Sequence, residues 1–313
     1  MRRPPAFWAA LVLPVAFFAV AACGGGSGGS GGAKPTTGLP GVSGSYGDKP
    51  TLSFSGTPST TLQKKVLKDG TGTAIAKGDL MVADYLGQIW DGTVFDNSYD
   101  RKQPFGTPIG LAKVIPGWDE ALVGVKSGSR VLLAIPPDKG YGPNGNSQAG
   151  IKGTDTLVFV IDVIAAFGAK SAGDPKAADQ HAATPGVTIG GTLGARPTVA
   201  VTKGTATPKK PTTIVLAKGT GPAVKTGFLV LQYEVVNWVN KAVASTWKDG
   251  APAGLPIGSA QQPNPFDALV GVPIGSRVLV QIPQSKDQKT TESLAVVVDV
   301  IAEPGTAKET AAS

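Results

Sequence analysis

The chain has 313 residues, a formal charge of +7, one histidine and one cysteine. That inventory leaves no ligand set for a structural zinc site, no common catalytic triad and no intrachain disulfide, so apolar burial must hold the core. The modest, interspersed charge argues against a nucleic-acid surface, while 43 glycines, 26 prolines and 6% aromatic residues favour a loop-rich β protein.

At the N-terminus, Met1-Arg2-Arg3 precedes an apolar run from Ala6 to Ala22. This is the pattern of a secretory signal, too short for a good membrane span. The run ends in Val20-Ala21-Ala22-Cys23, which resembles the lipobox of bacterial lipoproteins. The resemblance implies that Cys23 is lipidated and becomes the mature N-terminus, held at the extracytoplasmic face of the cell membrane by its acyl chains. Residues 1–22 are then a signal peptide and 23–40 a Gly/Ser-rich tether.

Beyond the tether the chain repeats itself. Pro108-Ile109-Gly110 recurs as Pro256-Ile257-Gly258, and Ala121-Leu122-Val123-Gly124-Val125 as Ala268-Leu269-Val270-Gly271-Val272. Gly128-Ser129-Arg130-Val131-Leu132 returns at 275–279 as Gly-Ser-Arg-Val-Leu, and Asp162-Val163-Ile164 as Asp299-Val300-Ile301. Collinear matches of this length mean a duplicated domain with small loop deletions. The expected boundaries are 41–167 for the first domain, 168–182 for a linker containing His181, 183–303 for the second domain and 304–313 for a disordered tail.

In the first copy, Leu80 to Tyr85, Arg130 to Ile135 and Leu157 to Ile164 read as strands, mostly with a period of two. Trp118, Ala121, Leu122 and Val125 fall on one face of a short helix with Asp119 and Glu120 in its first turn. The predicted class is α+β: in each copy, a curved antiparallel sheet wrapped around one short helix.

The chemistry-bearing residues lie in the first copy. Val82-Ala83-Asp84-Tyr85-Leu86-Gly87 leads to Asp91-Gly92-Thr93-Val94-Phe95-Asp96-Asn97-Ser98, then Arg101, Pro104-Phe105 and Val114-Ile115-Pro116-Gly117-Trp118. Gly140-Tyr141-Gly142 and Thr156-Leu157-Val158-Phe159 follow. In this order and spacing the set resembles the FK506-binding-protein family of peptidyl-prolyl cis-trans isomerases, over roughly residues 41–167. The resemblance implies a pocket with Trp118 as the floor under the proline ring and Tyr85, Phe95, Phe105, Val114, Ile115 and Phe159 as walls. Asp96 and Tyr141 are then polar groups near the substrate carbonyl, Arg101 positions Asp96 and Tyr85, and the Ile115 N–H faces the ligand. Ile151 is counted with the substrate-binding residues. It sits in Ile151-Lys152-Gly153, where the family often has Ile-Pro-Pro, and Lys113 stands where a carboxylate is frequent; both departures bear on substrate preference and macrolide affinity. The implied partners are proline-containing polypeptides and FK506-like macrolides, with no metal and no cofactor.

The second copy has lost this set. Phe95-Asp96-Asn97-Ser98-Tyr99 becomes Val243-Ala244-Ser245-Thr246-Trp247, Arg101 becomes Asp249, and Trp118 is matched by Phe266 or Pro265. The expectation is a degenerate, non-catalytic domain. Two function classes follow: an isomerase that assists the folding of secreted or cell-envelope proteins, or a non-catalytic lipoprotein that binds proteins or macrolides. The complete pocket set in the first copy favours the isomerase. Gly140-Tyr141-Gly142-Pro143-Asn144-Gly145 matches a dinucleotide fingerprint by letter, but it opens no helix and contains a proline, so it reads as a loop.

Overall fold

The computed structural model describes residues 38–259, 263–284 and 292–312. The signal segment and Cys23 lie outside the described residues.

The first unit opens with a hairpin of β1 (Gly41–Ser43) and β2 (Thr51–Ser53). There follow β3 (Gln63–Lys68), β4 (Leu80–Ile89), β5 (Val94–Asn97), β6 (Phe105–Pro108), α1 (Pro116–Leu122), β7 (Arg130–Ile135) and β8 (Leu157–Phe167). The sheet is antiparallel in the order β3-β7-β8-β4-β5, and β6 pairs with the start of β4. Trp118, Ala121 and Leu122 of α1 bury against one face, with Tyr85, Leu133 and Phe159. The hairpin covers the other face, where Val42 and Leu52 meet Leu132, Ala134, Val158 and Val160. Because both faces are covered, β7 is buried at every position and the expected in–out alternation is not a solvent alternation.

The second unit comprises β9 (Ala178–Asp179), β10 (Val187–Gly190), β11 (Thr198–Val201), β12 (Thr212–Lys218) and β13 (Gly227–Asn237). It continues through β14 (Ala242–Ser245), α2 (Thr246–Asp249), β15 (Ala253–Ile257), β16 (Arg277–Ile282) and β17 (Leu294–Ala302). Its sheet runs β14-β13-β17-β16-β12-β9 with β15 on β13, the order of the first sheet with one short strand added. The place of α1 is taken by a 3₁₀ turn, Pro265–Leu269, that buries Phe266 and Leu269. Particular hydrogen bonds recur as well. Ser98 Oγ accepts from the Tyr85 N–H at 2.9 Å, and Thr246 Oγ1 from the Tyr233 N–H at 2.8 Å. Asp119 accepts from Gly110 N–H and Asp267 from Gly258 N–H, both at 2.6 Å.

The strongest recurrence is a buried ion pair. Arg130 Nε and Nη2 donate to Asp162 at 2.6 and 2.7 Å; Arg277 donates in the same way to Asp299 at 2.6 and 2.9 Å. Each arginine also donates to the turn of its own hairpin, Arg130 to the Gly44 and Asp48 carbonyls and Arg277 to those of Thr192 and Ala195.

Two segments differ from expectation. Residues 168–182 are not a free linker: β9 joins the second sheet, Asp174 N–H donates to the Gly275 carbonyl at 2.8 Å, and the Gln232 amide donates to the Ala169 and Ser171 carbonyls. Nor is the tail disordered over its described residues. It forms α3 (Ala307–Ala312), with Ala307 fully buried and its N–H donating to Asp84 at 2.7 Å. A polar composition concealed that the Ala307 side chain and its backbone donor are both buried.

The units meet through equivalent residues. Leu80 and Val82 of β4 pack with Phe228 and Val230 of β13, alongside Ile164, Ala165, Ile301 and Ala302. Gly106 and Gly254, opposite Val82 and Val230 in their sheets, flank the Phe228 ring; a Cβ on either would lie 2.6 Å from its edge. Like presenting to like is the geometry of a two-fold dimer interface.

Arg277→Ala is expected to lower the unfolding free energy by about 3–5 kcal/mol, since it strands a buried carboxylate. Urea unfolding followed by tryptophan fluorescence measures it, and a change below about 1 kcal/mol would show that the pair is not needed.

Candidate active site

Strand pairing brings the predicted residues together. Tyr85 sits in the middle of β4; β5 pairs antiparallel with the end of β4 so that Asp96 lies opposite Gly87, and β8 places Phe159 opposite Gly87 on the other side. Gly87 is required here. A Cβ at that position would lie 2.7 Å from the Phe95 ring and 2.8 Å from the Phe159 ring. Ser98 closes the loop after β5, accepting from the Tyr85 N–H and donating to Asp84 at 2.7 Å. On the other flank, β6 sets Phe105 opposite Ala83.

Trp118 stands at the centre. Its ring meets Phe159 at 5.1 Å, Tyr85 at 5.6 Å and Phe105 at 6.1 Å between centroids, each edge-on, and Phe95 meets Phe159 in the same manner at 5.6 Å. Edge-to-face packing places positive ring edges on negative faces, so the cluster holds its shape without filling the space in front of it. The Trp118 Nε1–H has no hydrogen-bond partner among the described residues. Pro116 occupies the first turn of α1, and Ile115 precedes it in extended conformation, which leaves the Ile115 N–H outside the helix ladder.

A polar cluster borders the aromatic one. Asp96 accepts from the Tyr85 hydroxyl and from Arg101 Nη1, while Arg101 Nη2 donates to the Tyr85 oxygen at 3.0 Å. Burial raises the Tyr85 phenol well above its ordinary value, and the Asp96 carboxylate reinforces this against an opposing pull from Arg101. The hydroxyl therefore stays protonated as a donor across the neutral range. Tyr141 is raised chiefly by burial too; a hydrogen bond from Asn146 opposes the shift and the Asp96 charge adds to it.

These residues surround one cavity of about 860 Å³, lined by Tyr85, Phe95, Asp96, Arg101, Phe105, Val114, Ile115, Trp118, Tyr141 and Phe159. Of the predicted set only Ile151 is absent from the lining. It is 4% exposed, bridged to Asn146 and packed into the core beneath the loop, so it supports the site from behind. The lining also includes residues that sequence reasoning had not placed there: Gly106, Thr107, Pro108 and Leu111 from the first unit, and Tyr233, Thr246, Asp249, Ala251, Ala253 and Gly254 from the second. Their positions in the repeat were visible, but the docking of one unit on the other has no sequence signal.

A family model for the FKBP-type peptidyl-prolyl cis-trans isomerases matches residues 72–164. FK506-binding protein 1A of Aspergillus fumigatus is 39% identical over 102 residues, which is 90% of its length and 32% of this chain. The chain belongs to the FKBP-type peptidyl-prolyl cis-trans isomerase family. The FKBP-type isomerase FkpA of Escherichia coli is 40% identical over 128 residues, and the match spans 46% of FkpA and 39% of this chain. The crystal structure of FkpA aligns over 34% of this chain and 48% of that one, at 39% identity and a TM-score of 0.32. The isomerase domain at 72–164 thus contains every aromatic group around Trp118.

Gly87→Ala is expected to force the Phe95 and Phe159 rings apart and to cost about 1–3 kcal/mol of stability through overpacking. Denaturant unfolding reads the loss, and parent-like stability would mean that the close ring approach is not a constraint.

Proposed function

We propose that this FKBP-type isomerase rotates X-Pro bonds in the aromatic cavity of its first unit, and that it assists the folding of secreted or cell-envelope polypeptides. The observation that carries the reading is the edge-on cluster around Trp118, bordered by the Asp96, Arg101 and Tyr85 triangle.

The barrier to rotation is about 18–20 kcal/mol because amide resonance gives the C–N bond double-bond character. The planar ground state carries a charge-separated resonance form that water stabilises. A proline seated on Trp118 between Phe95, Phe105 and Phe159 loses that hydration, and the twisted amide, with less charge separation, loses less. The Tyr141 hydroxyl and the Ile115 N–H hold the carbonyls that flank the rotating bond, and Arg101 fixes Asp96 and Tyr85 at the rim. A barrier lowered by about 6 kcal/mol corresponds to an acceleration of roughly four powers of ten. No bond is made or broken, so the step requires no nucleophile, metal or cofactor. FK506-like macrolides occupy the same pocket and compete with substrate.

The second unit is read as a degenerate FKBP-like domain without activity of its own. Phe266, 2% exposed, stacks on Tyr233 at 5.9 Å, and Val296 is fully buried on the strand equivalent to the one that carries Phe159. The wall positions of Phe95 and Phe105 are held by Val243 and Ala253.

In the full chain, the double variant Trp118→Ala, Phe159→Ala is expected to lose at least about 99% of its proline-limited refolding activity, about 2.7 kcal/mol of barrier. Parent-level activity would remove the apolar pocket from the mechanism, and a substantial remainder would assign catalysis to the second unit. Asp96→Val is expected to lose much less, since one polar contact contributes about 1 kcal/mol.

The anchoring of this isomerase at the membrane is part of the same reading. The mature protein is expected to partition into detergent and to carry a lipid-sized mass increment on Cys23. A Cys23→Ala form that stays with membranes in high salt would count against acyl anchoring, because salt screens ionic attachment and only an inserted segment would then hold the chain.

A further inference from the structure

We propose that the second unit is the far wall of the substrate cleft, and that Asp249 selects polypeptides with a cationic residue close to the isomerised proline. This rests on the cavity being the prolyl site.

A pocket for a proline ring and its two flanking amides needs about 300 Å³, the low end of small-ligand sites. The cavity is about 860 Å³, and it continues past Phe105 and Gly106 to Tyr233, Thr246, Asp249, Ala251 and Ala253 of the second unit. Two replacements shape that extension. Ala253 lies opposite Leu231 in its sheet as Phe105 lies opposite Ala83, so a methyl group stands where the first unit has a ring, and the cleft stays open. Asp249 occupies the place of Arg101. In the first unit that position is neutralised by Asp96. In the second, the counterpart of Asp96 is Ala244, and Asp249 is exposed and makes no ion pair among the described residues. It lies close enough to Tyr233 that burial, and then its negative charge, push that phenol up to about 12.

The charges that line the cleft are therefore the neutralised Asp96–Arg101 pair, Lys113 on the first-unit wall and Asp249 on the second-unit wall. A polypeptide threaded past the prolyl pocket meets one unneutralised carboxylate on the far side. A lysine or arginine a few residues from the proline is the group that matches it.

The test uses the full mature chain and matched decapeptides with one Ala-Pro bond, carrying a single lysine or glutamate at each of three positions on either side. At low salt the parent is expected to prefer lysine over glutamate in kcat/KM by at least about threefold at one or more positions, the scale of an exposed charge pair. Asp249→Asn should abolish that preference and Asp249→Lys should invert it. Asp179→Lys reverses an exposed charge on the same unit outside the cavity lining, and should keep the parent preference. An unchanged preference in Asp249→Lys, or an equal change in Asp179→Lys, overturns the proposal while leaving isomerisation intact. A parent chain inactive on every peptide would overturn the isomerase reading itself.

Discussion

The buried arginine–aspartate pair is the constraint on which each unit depends. Arg130 lies directly opposite Asp162 between β7 and β8, and Arg277 directly opposite Asp299 between β16 and β17. Burying two charges costs several kcal/mol each, and the attraction offsets this only when geometry is good and the remaining donors are satisfied. Both requirements are met, because the donors left over on each guanidinium reach carbonyls in the hairpin turn. Gly47 N–H and the Tyr99 hydroxyl add two further donors to Asp162. A slip of one residue between β7 and β8 would break all of these bonds and turn every side chain to the wrong face. The same register sends Phe159 to the helix face and Val158 and Val160 to the hairpin face. The pair therefore fixes where the pocket floor and wall can be.

A second constraint acts between the units. The contact at Leu80, Val82, Phe228 and Val230 repeats equivalent positions, as a homodimer would, but one of the equivalent residues has become a phenylalanine. Its ring sits over Gly106 and Gly254 and admits no side chain at either. Both glycines are on the strands that border the cavity, so the fit of this one ring sets the spacing of the two cavity walls. The C-terminal α3 adds to the same cluster through Ala307. The Asp84 carboxylate that accepts the Ala307 N–H is also the acceptor for Ser98, which closes the loop after Asp96. Burial raises this carboxyl above its ordinary value, and those two donors hold it back.

Much of this was legible in the residues, and what was not has physical reasons. The duplicated segments, the helix that carries Trp118 and the long strands were readable because each is a local pattern of apolar spacing and turn residues. The pocket residues were readable as an ordered set, and ten of the eleven named line the cavity. Ile151 lies outside that lining because a loop position near a pocket does not specify which way the side chain is packed. The outer hairpins were missed: strands as short as Gly41–Ser43 carry no period of their own and are fixed by long-range bonds from Arg130. The tail was missed for the same reason, since a single buried alanine outweighs its polar neighbours.

The two units show that what the fold needs and what the site needs are carried by different atoms. Both keep the arginine–aspartate pair, the hydroxyl acceptor under the β4 or β13 tyrosine, and the aspartate that receives the glycine N–H ahead of the central turn. These are polar and mostly buried, and losing any one would leave an unsatisfied group costing about 1–3 kcal/mol. The aromatic wall is under no such obligation. Where Trp118 buries an indole N–H without a partner among the described residues, Phe266 in the same place carries no such donor and stacks on Tyr233. Phenylalanine at that position carries no indole donor, and the polar bonds that hold the unit's strands and turns are kept beside it, so the fold tolerates the change of ring.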